Sequence, residues 1–252
     1  MLVAILLTLL SIACIYDALG PNLIFANRPL IGGTLAGLIV GQPVLGMAIG
    51  ATLELTALGV YTYGGATIPD YQTGAIVGTA LAASTTAPLS EQVALGLGVG
   101  LPAALLLAAL DPIGRFLPAF WLHRADRYAD EGNARGIALM HWTAFTPWAA
   151  VRAIPTFLAA WAASTGVVQK ITQSIPEGFT TGMALAGSLL PAVGFGLLLT
   201  VMPLRQYWYL PILGYVLFAY LKVPLFGIAL FGLAIAGMYM ALRKREETAD
   251  VH

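Results

Sequence analysis

Long runs of this chain carry no ionisable side chain. Between Arg28 and Asp70 the only charge is Glu54, and the runs from Glu177 to Arg205 and from Lys222 to Arg243 hold none. A water-soluble domain carries about 25% charged residues. Here the share is 10%, against 59% hydrophobic residues over 252 positions. That composition cannot clothe a soluble surface, so the chain reads as an all-α polytopic membrane protein. The net charge of zero leaves no electrostatic footprint for nucleic acid. Cys14 is the only cysteine, which excludes an internal disulfide and a cysteine-based metal site. It reads as a small buried hydrophobe.

A helix needs roughly 20 apolar residues to cross the hydrocarbon. The candidate spans are 1–19, 30–49, 72–89, 92–110, 136–150, 152–168, 182–203, 207–221 and 224–242. Tilt and breaks make the count about eight to ten. The N-terminus lacks a basic region and a cleavage site, so it reads as a first membrane segment. Residues 1–242 read as one membrane domain, and 243–252 as a short charged cytoplasmic tail.

Residues 50–71 stand apart. They are largely apolar yet interrupted by Gly50, Gly59, Gly64, Gly65 and Pro69. Backbone freed by such breaks survives at membrane depth only inside protein or beside a water-filled cavity. The segment reads as a re-entrant or broken hairpin, or as an ordinary span with a tight turn at Gly64-Gly65. The stretch 111–135 reads as an amphipathic charged segment, with Arg115, Arg124, Arg127 and Arg135 favouring the cytoplasmic side. Arg152 and Arg205 are expected at membrane edges, snorkelling or pairing.

Glu54 is the centre of the functional reading. An ionisable group in bilayer-grade sequence is costly, and it pairs or lines a functional cavity. Thr52 and Thr56 flank it at a spacing of two. A carboxylate accepts two hydrogen bonds at once, which suits vicinal sugar hydroxyls, a proton or a cation. Pairing with Arg28 is the structural alternative, and Arg28 alternatively marks a membrane edge. Asp70 is either a second acceptor or the N-cap of a helix starting near Tyr71. Tyr63 and its neighbours Tyr61 and Tyr71 can stack on a sugar face. Pro29 fits the first position of a helix. No GxSxG, HExxH or phosphate-binding glycine loop is present, and neither His123, His141 nor His252 has a partner pattern for phosphorylation.

Taken in order, Arg28-Pro29-Leu30, Gly50-Ala51-Thr52-Leu53-Glu54 with Ala57-Leu58-Gly59, and Pro69-Asp70 resemble the IIC subunit of the mannose/fructose/sorbose-type sugar phosphotransferase system. The resemblance continues through Ala125-Asp126, Asp130-Glu131-Gly132-Asn133, Ile175-Pro176-Glu177, Gly182 and Ala186-Gly187. It therefore covers nearly the whole chain.

The resemblance implies a sugar permease of the bacterial inner membrane, crossing it several times and working with a IID membrane subunit. Cytoplasmic IIA and IIB carriers would relay phosphate from phosphoenolpyruvate, and IIB would phosphorylate the sugar on release inside. This chain would then be no enzyme by itself, with no catalytic residue, no metal and no cofactor. Its sugar-binding residues would be Glu54, Asp70, Asn27, Thr52, Thr56 and Tyr63. Arg28, Pro29, Gly50, Gly59, Gly64, Gly65 and Pro69 would have structural or gating roles. Asn27 stands where the family commonly has histidine, a departure that fits a different sugar. The alternative is an ion-coupled secondary transporter with Glu54 as coupling carboxylate.

Overall fold

The structure, a computed structural model, describes residues 1–25, 27–58, 60, 67–166 and 177–249. Every regular element among them is helical. Two compact units divide the chain, Met1–Leu199 and Thr200–His252.

The first unit contains α1 (Leu2–Leu19), α2 (Pro29–Val40), α3 (Pro43–Ala57), α4 (Tyr71–Ala82) and α5 (Leu89–Phe116). It continues with α6 (Ala119–Asp130), α7 (Ala134–Thr143), α8 (Thr146–Ser164) and most of α9 (Glu177–Val201). The helix α4 is its hub, packing against α1, α2, α3, α5 and α8. One apolar cluster joins Leu7 and Cys14 of α1 to Ala36, Ile76 and Ala160. A second joins Leu45, Ile49 and Leu53 of α3 to Ala75 and Leu97.

Two glycine-lined hairpins build this hub. In the first, Gly33 and Gly37 of α2 face Gly46 and Gly50 of α3. A β-carbon on Gly33 would lie 2.5 Å from the Gly46 carbonyl oxygen, and one on Gly46 would overlap the Gly33 oxygen. In the second, Gly74 and Gly78 of α4 face Gly96 and Gly100 of α5. A β-carbon on Gly74 would lie 2.5 Å from the Gly100 oxygen. All four pairs are spaced by four residues, the small-xxx-small pattern that lets helix backbones approach closely in apolar surroundings.

This geometry corrects two expectations. Residues 30–49 do not form one span. Gly41 adopts a left-handed conformation (φ 80°), and Pro43 starts a new helix. The α2–α3 hairpin results, with arms of 12 and 15 residues, each short of a membrane crossing. Gly50 is not a break either. It lies inside α3, where its missing side chain admits the Pro29 carbonyl at the start of α2. The break expected near 50–71 begins only after Ala57, and Gly59, Tyr61, Tyr63, Gly64 and Gly65 fall outside the described residues.

Apolar side chains lie on the outside as well as in the core, and several polar and charged groups are buried with the core. Leu9, Leu38, Val44, Leu105, Leu106 and Leu189 are exposed, whereas Ser11, Asp17, Gln72, Gln92, Asp111, Arg152 and Thr156 are buried. Two stretches among the described residues, Leu2–Leu19 and Leu89–Asp130, are long and apolar enough to cross a bilayer. The remaining apolar helices there are shorter or carry internal prolines such as Pro155 and Pro191.

Only part of the stretch 111–135 is amphipathic surface. The helix α6 has no buried residue, but Asp111 lies in α5 and is 5% exposed. In the second unit, α10 (Leu204–Tyr207) leads into α11 (Tyr209–Ala219), which packs against α12 (Leu225–Ala249). The charged stretch from Arg243 prolongs α12 as helix.

Substituting Gly46→Ala is expected to destabilise the protein by about 1–3 kcal/mol, the cost of overpacking against a backbone oxygen. Gly196→Ala, where no atom lies within 4 Å of the new carbon, is expected to be neutral or slightly stabilising. Thermal unfolding of both variants in detergent measures the contrast.

Candidate functional site

Three helix ends gather at one end of the hub. A β-carbon on Gly50 would touch Pro29 and Leu30, so the C-terminal turns of α3 run past the N-terminus of α2. The N-terminus of α4 lies at the same level, because Gln72 packs on Gly32 of α2. The opposite level is tied by Gln42 Nε2, which donates to the Ala83 carbonyl at the end of α4 (3.2 Å).

This end lies deep along α5. The Asp70 N–H donates to the Ala104 carbonyl (3.2 Å), and Ala104 is sixteenth of the 28 residues of α5. A helix of that length spans about 42 Å at 1.5 Å per residue, so the α4 N-terminus meets it near its middle. Helix ends at such depth, with their partly positive N-termini, are how transporters build midplane sites.

Glu54 projects from the last turn of α3 across the start of α2. Its Oε2 accepts the Leu30 N–H (3.0 Å), and its Oε1 lies 3.6 Å from Arg28 Nη1. The Glu54 side chain is 23% exposed and Arg28 57%. A carboxylate offers about four acceptor positions. Two are engaged here, one of them loosely.

Arg28 is held in place from α1. The buried carboxylate of Asp17 accepts the N–H groups of Leu23, Ile24 and Phe25 (2.9–3.1 Å). The Phe25 carbonyl in turn accepts the Arg28 N–H (2.9 Å). Asn27 sits in this turn, exposed, with φ 52°. Asparagine tolerates that left-handed backbone better than most residues.

Asp70 is the N-cap of α4 and also the half-buried ion-pair partner of the buried Arg152. Its Oδ1 accepts the Thr73 N–H (2.9 Å), and its Oδ2 accepts Thr73 Oγ1 (3.0 Å) and Arg152 Nε (2.7 Å). Arg152 Nη2 reaches Asp111 Oδ1 (3.4 Å), and Asp111 Oδ2 accepts Arg115 Nε (2.7 Å). Trp148, Arg152 and Thr156 share one face of α8 at a spacing of four. The Trp148 ring lies 5.4 Å from the Arg152 guanidinium and 5.6 Å from that of Arg115. Thr156 Oγ1 donates to Ser11 of α1 (3.3 Å).

The other expected site residues lie elsewhere. Thr52 and Thr56 are about 200° around α3 from Glu54, two residues at 100° each. Their hydroxyls donate to the Ala48 and Thr52 carbonyls (2.9 and 2.8 Å). Thr56 is buried beneath Gly194 of α9. Pro29 occupies the first turn of α2, and Pro69 precedes the Asp70 cap. Arg152, expected at a membrane edge, is instead buried in the hub. Sequence reasoning missed Asp17, Asp111 and Gln72 as parts of this end. For Asp17 the signal was present, since it is a charge inside an apolar run.

Removing Arg152 leaves the half-buried Asp70 without its counter-ion and Asp111 with Arg115 alone. Arg152→Met is expected to cost about 3–5 kcal/mol of stability. Adding Asp70→Asn and Asp111→Asn to that variant is expected to recover part of it. The folded fraction surviving heating in detergent reads both effects.

Comparison with known proteins agrees with this architecture. The family model described as the sorbose-specific IIC component of the phosphotransferase system matches residues 1–238. The fructose permease IIC component of Bacillus subtilis is 31% identical over 223 residues, covering 87% of this chain and 80% of its own. The mannose-specific EIIC component of Escherichia coli is 31% identical over 218 residues, covering 86% and 80%. Among solved structures, a membrane protein superposes with a TM-score of 0.80 at 28% identity, covering 96% of each chain. The mannose transporter ManYZ in complex with microcin E492 superposes at 0.59 with 29% identity, covering 95% of each. With glycine-paired hairpins, buried charges and a match over nearly its whole length, the chain belongs to the sorbose-type IIC family of phosphotransferase-system sugar permease components.

Proposed function

We propose that this chain binds a hexose-type sugar where the N-termini of α2 and α4 meet the C-terminal end of α3, and carries it inward. A separate IIB subunit phosphorylates the sugar on release, so the chain is no enzyme alone. Trapping by phosphorylation makes uptake one-way without an ion gradient. The observation that carries this reading is Glu54, a carboxylate with unused acceptor capacity at the deep end of a helical hub.

Glu54 is the principal acceptor for sugar hydroxyls. Asp70 has three acceptor positions engaged and contributes less directly. It fixes the α4 N-terminus that walls the site. Asn27 and Arg28 approach from the α1–α2 turn. Relatives named for fructose, sorbose, mannose and N-acetylgalactosamine support a sugar substrate. The ManYZ complex supports assembly with a second membrane subunit of IID type. IIA and IIB phosphocarriers complete the system, and its place is the bacterial cell membrane, crossed several times.

The test is sugar uptake in cells supplying IIA, IIB and IID, screened over mannose, fructose, sorbose and N-acetylgalactosamine. Glu54→Gln is expected to lower uptake kcat/KM roughly 10- to 100-fold, the scale of charge-assisted hydrogen bonds to substrate. Uptake is expected to survive collapse of the proton gradient while phosphoenolpyruvate remains. Normal uptake by Glu54→Gln removes the site. Loss of uptake with the gradient favours the ion-coupled alternative.

A further inference from the structure

Three buried side-chain atoms among the described residues have no hydrogen-bond partner: Gln72 Nε2, Thr79 Oγ1 and Arg152 Nη1. A helical threonine hydroxyl lies near its own i−4 carbonyl, which gives Thr79 a local outlet. Arg152 already donates through two other nitrogens and lies over Trp148. The Gln72 amide nitrogen has neither. Its residue is only 3% exposed. A buried donor left unmade carries the full desolvation penalty of the group, so its retention calls for a reason.

The surroundings of Gln72 are built for it. It occupies the first turn of α4, two residues after Asp70, and leans on Gly32 of α2. A β-carbon on Gly32 would lie 2.8 Å from Gln72 Cγ and 3.6 Å from Nε2. Gly32 is not part of the glycine seam with α3, which uses Gly33 and Gly37. Its bare backbone makes room for the glutamine. The first turn of α2 is also where Leu30 donates to Glu54. An orphan donor and an under-used acceptor thus address the same helix end. A sugar hydroxyl donates one hydrogen bond and accepts others, so it can use both groups.

We propose that Gln72 is a substrate-binding residue, its amide donating to an oxygen of the sugar held at Glu54. This inference rests on the sugar site proposed above and deepens it. Glu54 provides acceptance and Gln72 provides donation, so together they read the placement of hydroxyls on the ring.

Gln72→Met keeps the length and removes the amide. With no protein partner lost, its thermal stability in detergent is expected to equal or exceed that of the parent protein. Its KM for the transported sugar is expected to rise about three- to tenfold, the scale of one neutral hydrogen bond. Monodeoxy analogues of that sugar supply the deciding readout. The parent protein is expected to discriminate against one analogue by that factor, and Gln72→Met to treat that analogue and the full sugar alike. Lower stability with an unchanged analogue preference would overturn the proposal in favour of a structural amide. So would an unchanged KM. If Glu54→Gln has also left uptake normal, the sugar site itself fails. If only the Gln72 results are negative, the site stands without this residue.

Discussion

At Asp70 a helix end and a buried ion pair share one carboxylate. Its two oxygens satisfy the first turn of α4 and hold Arg152 of α8, while its backbone N–H is bound to the middle of α5. An N-terminus deep in an apolar body leaves donors that cannot reach bulk water. The aspartate answers that need from within, and Arg152 balances its charge. Asp111 and Arg115 extend the network to two acids and two bases. Such networks are costly to desolvate, so their retention here is better explained by position than by stability.

The glycine seams make that position reachable. Close approach of α4 to α5, and of α2 to α3, brings backbone near backbone and leaves no gap to be filled by side chains. Helices so close can end at different depths while their partners run on. The long α5 continues about 10 Å beyond the α4 N-terminus to Asp111, at 1.5 Å for each of seven residues. The Glu54 carboxylate lies over the start of α2 for the same reason, since Gly50 one turn earlier admits the Pro29 carbonyl.

Much of the fold was legible. The uncharged runs located α1, α4, α5, α9, α11 and α12 to within several residues, because apolar length is itself the membrane signal. The hairpin of α2 and α3 was not legible as two helices, since Leu30 to Ile49 is apolar throughout and a single glycine at 41 carries the turn. Gly50 was misread for a related reason. Glycine breaks a helix when its backbone is exposed and tightens a helix pair when its missing side chain is used. Only the partner helix distinguishes the two cases.

For the site, the chain by itself determined that Glu54 had to find a partner or a cavity, because charge in an apolar medium does not stay unattended. It also supplied the capping signal at Asp70 and the proline at the start of α2. Pairing was decided by tertiary structure alone. Arg152 is 82 residues from Asp70, and Arg28 is 26 residues from Glu54. The choice of Arg152 for Asp70, of Arg28 for Glu54, and of Gly32 as the seat of Gln72 depends on which helices cross and at what depth. Periodicity along one helix says which residues share a face, and only the packed neighbours say what that face meets.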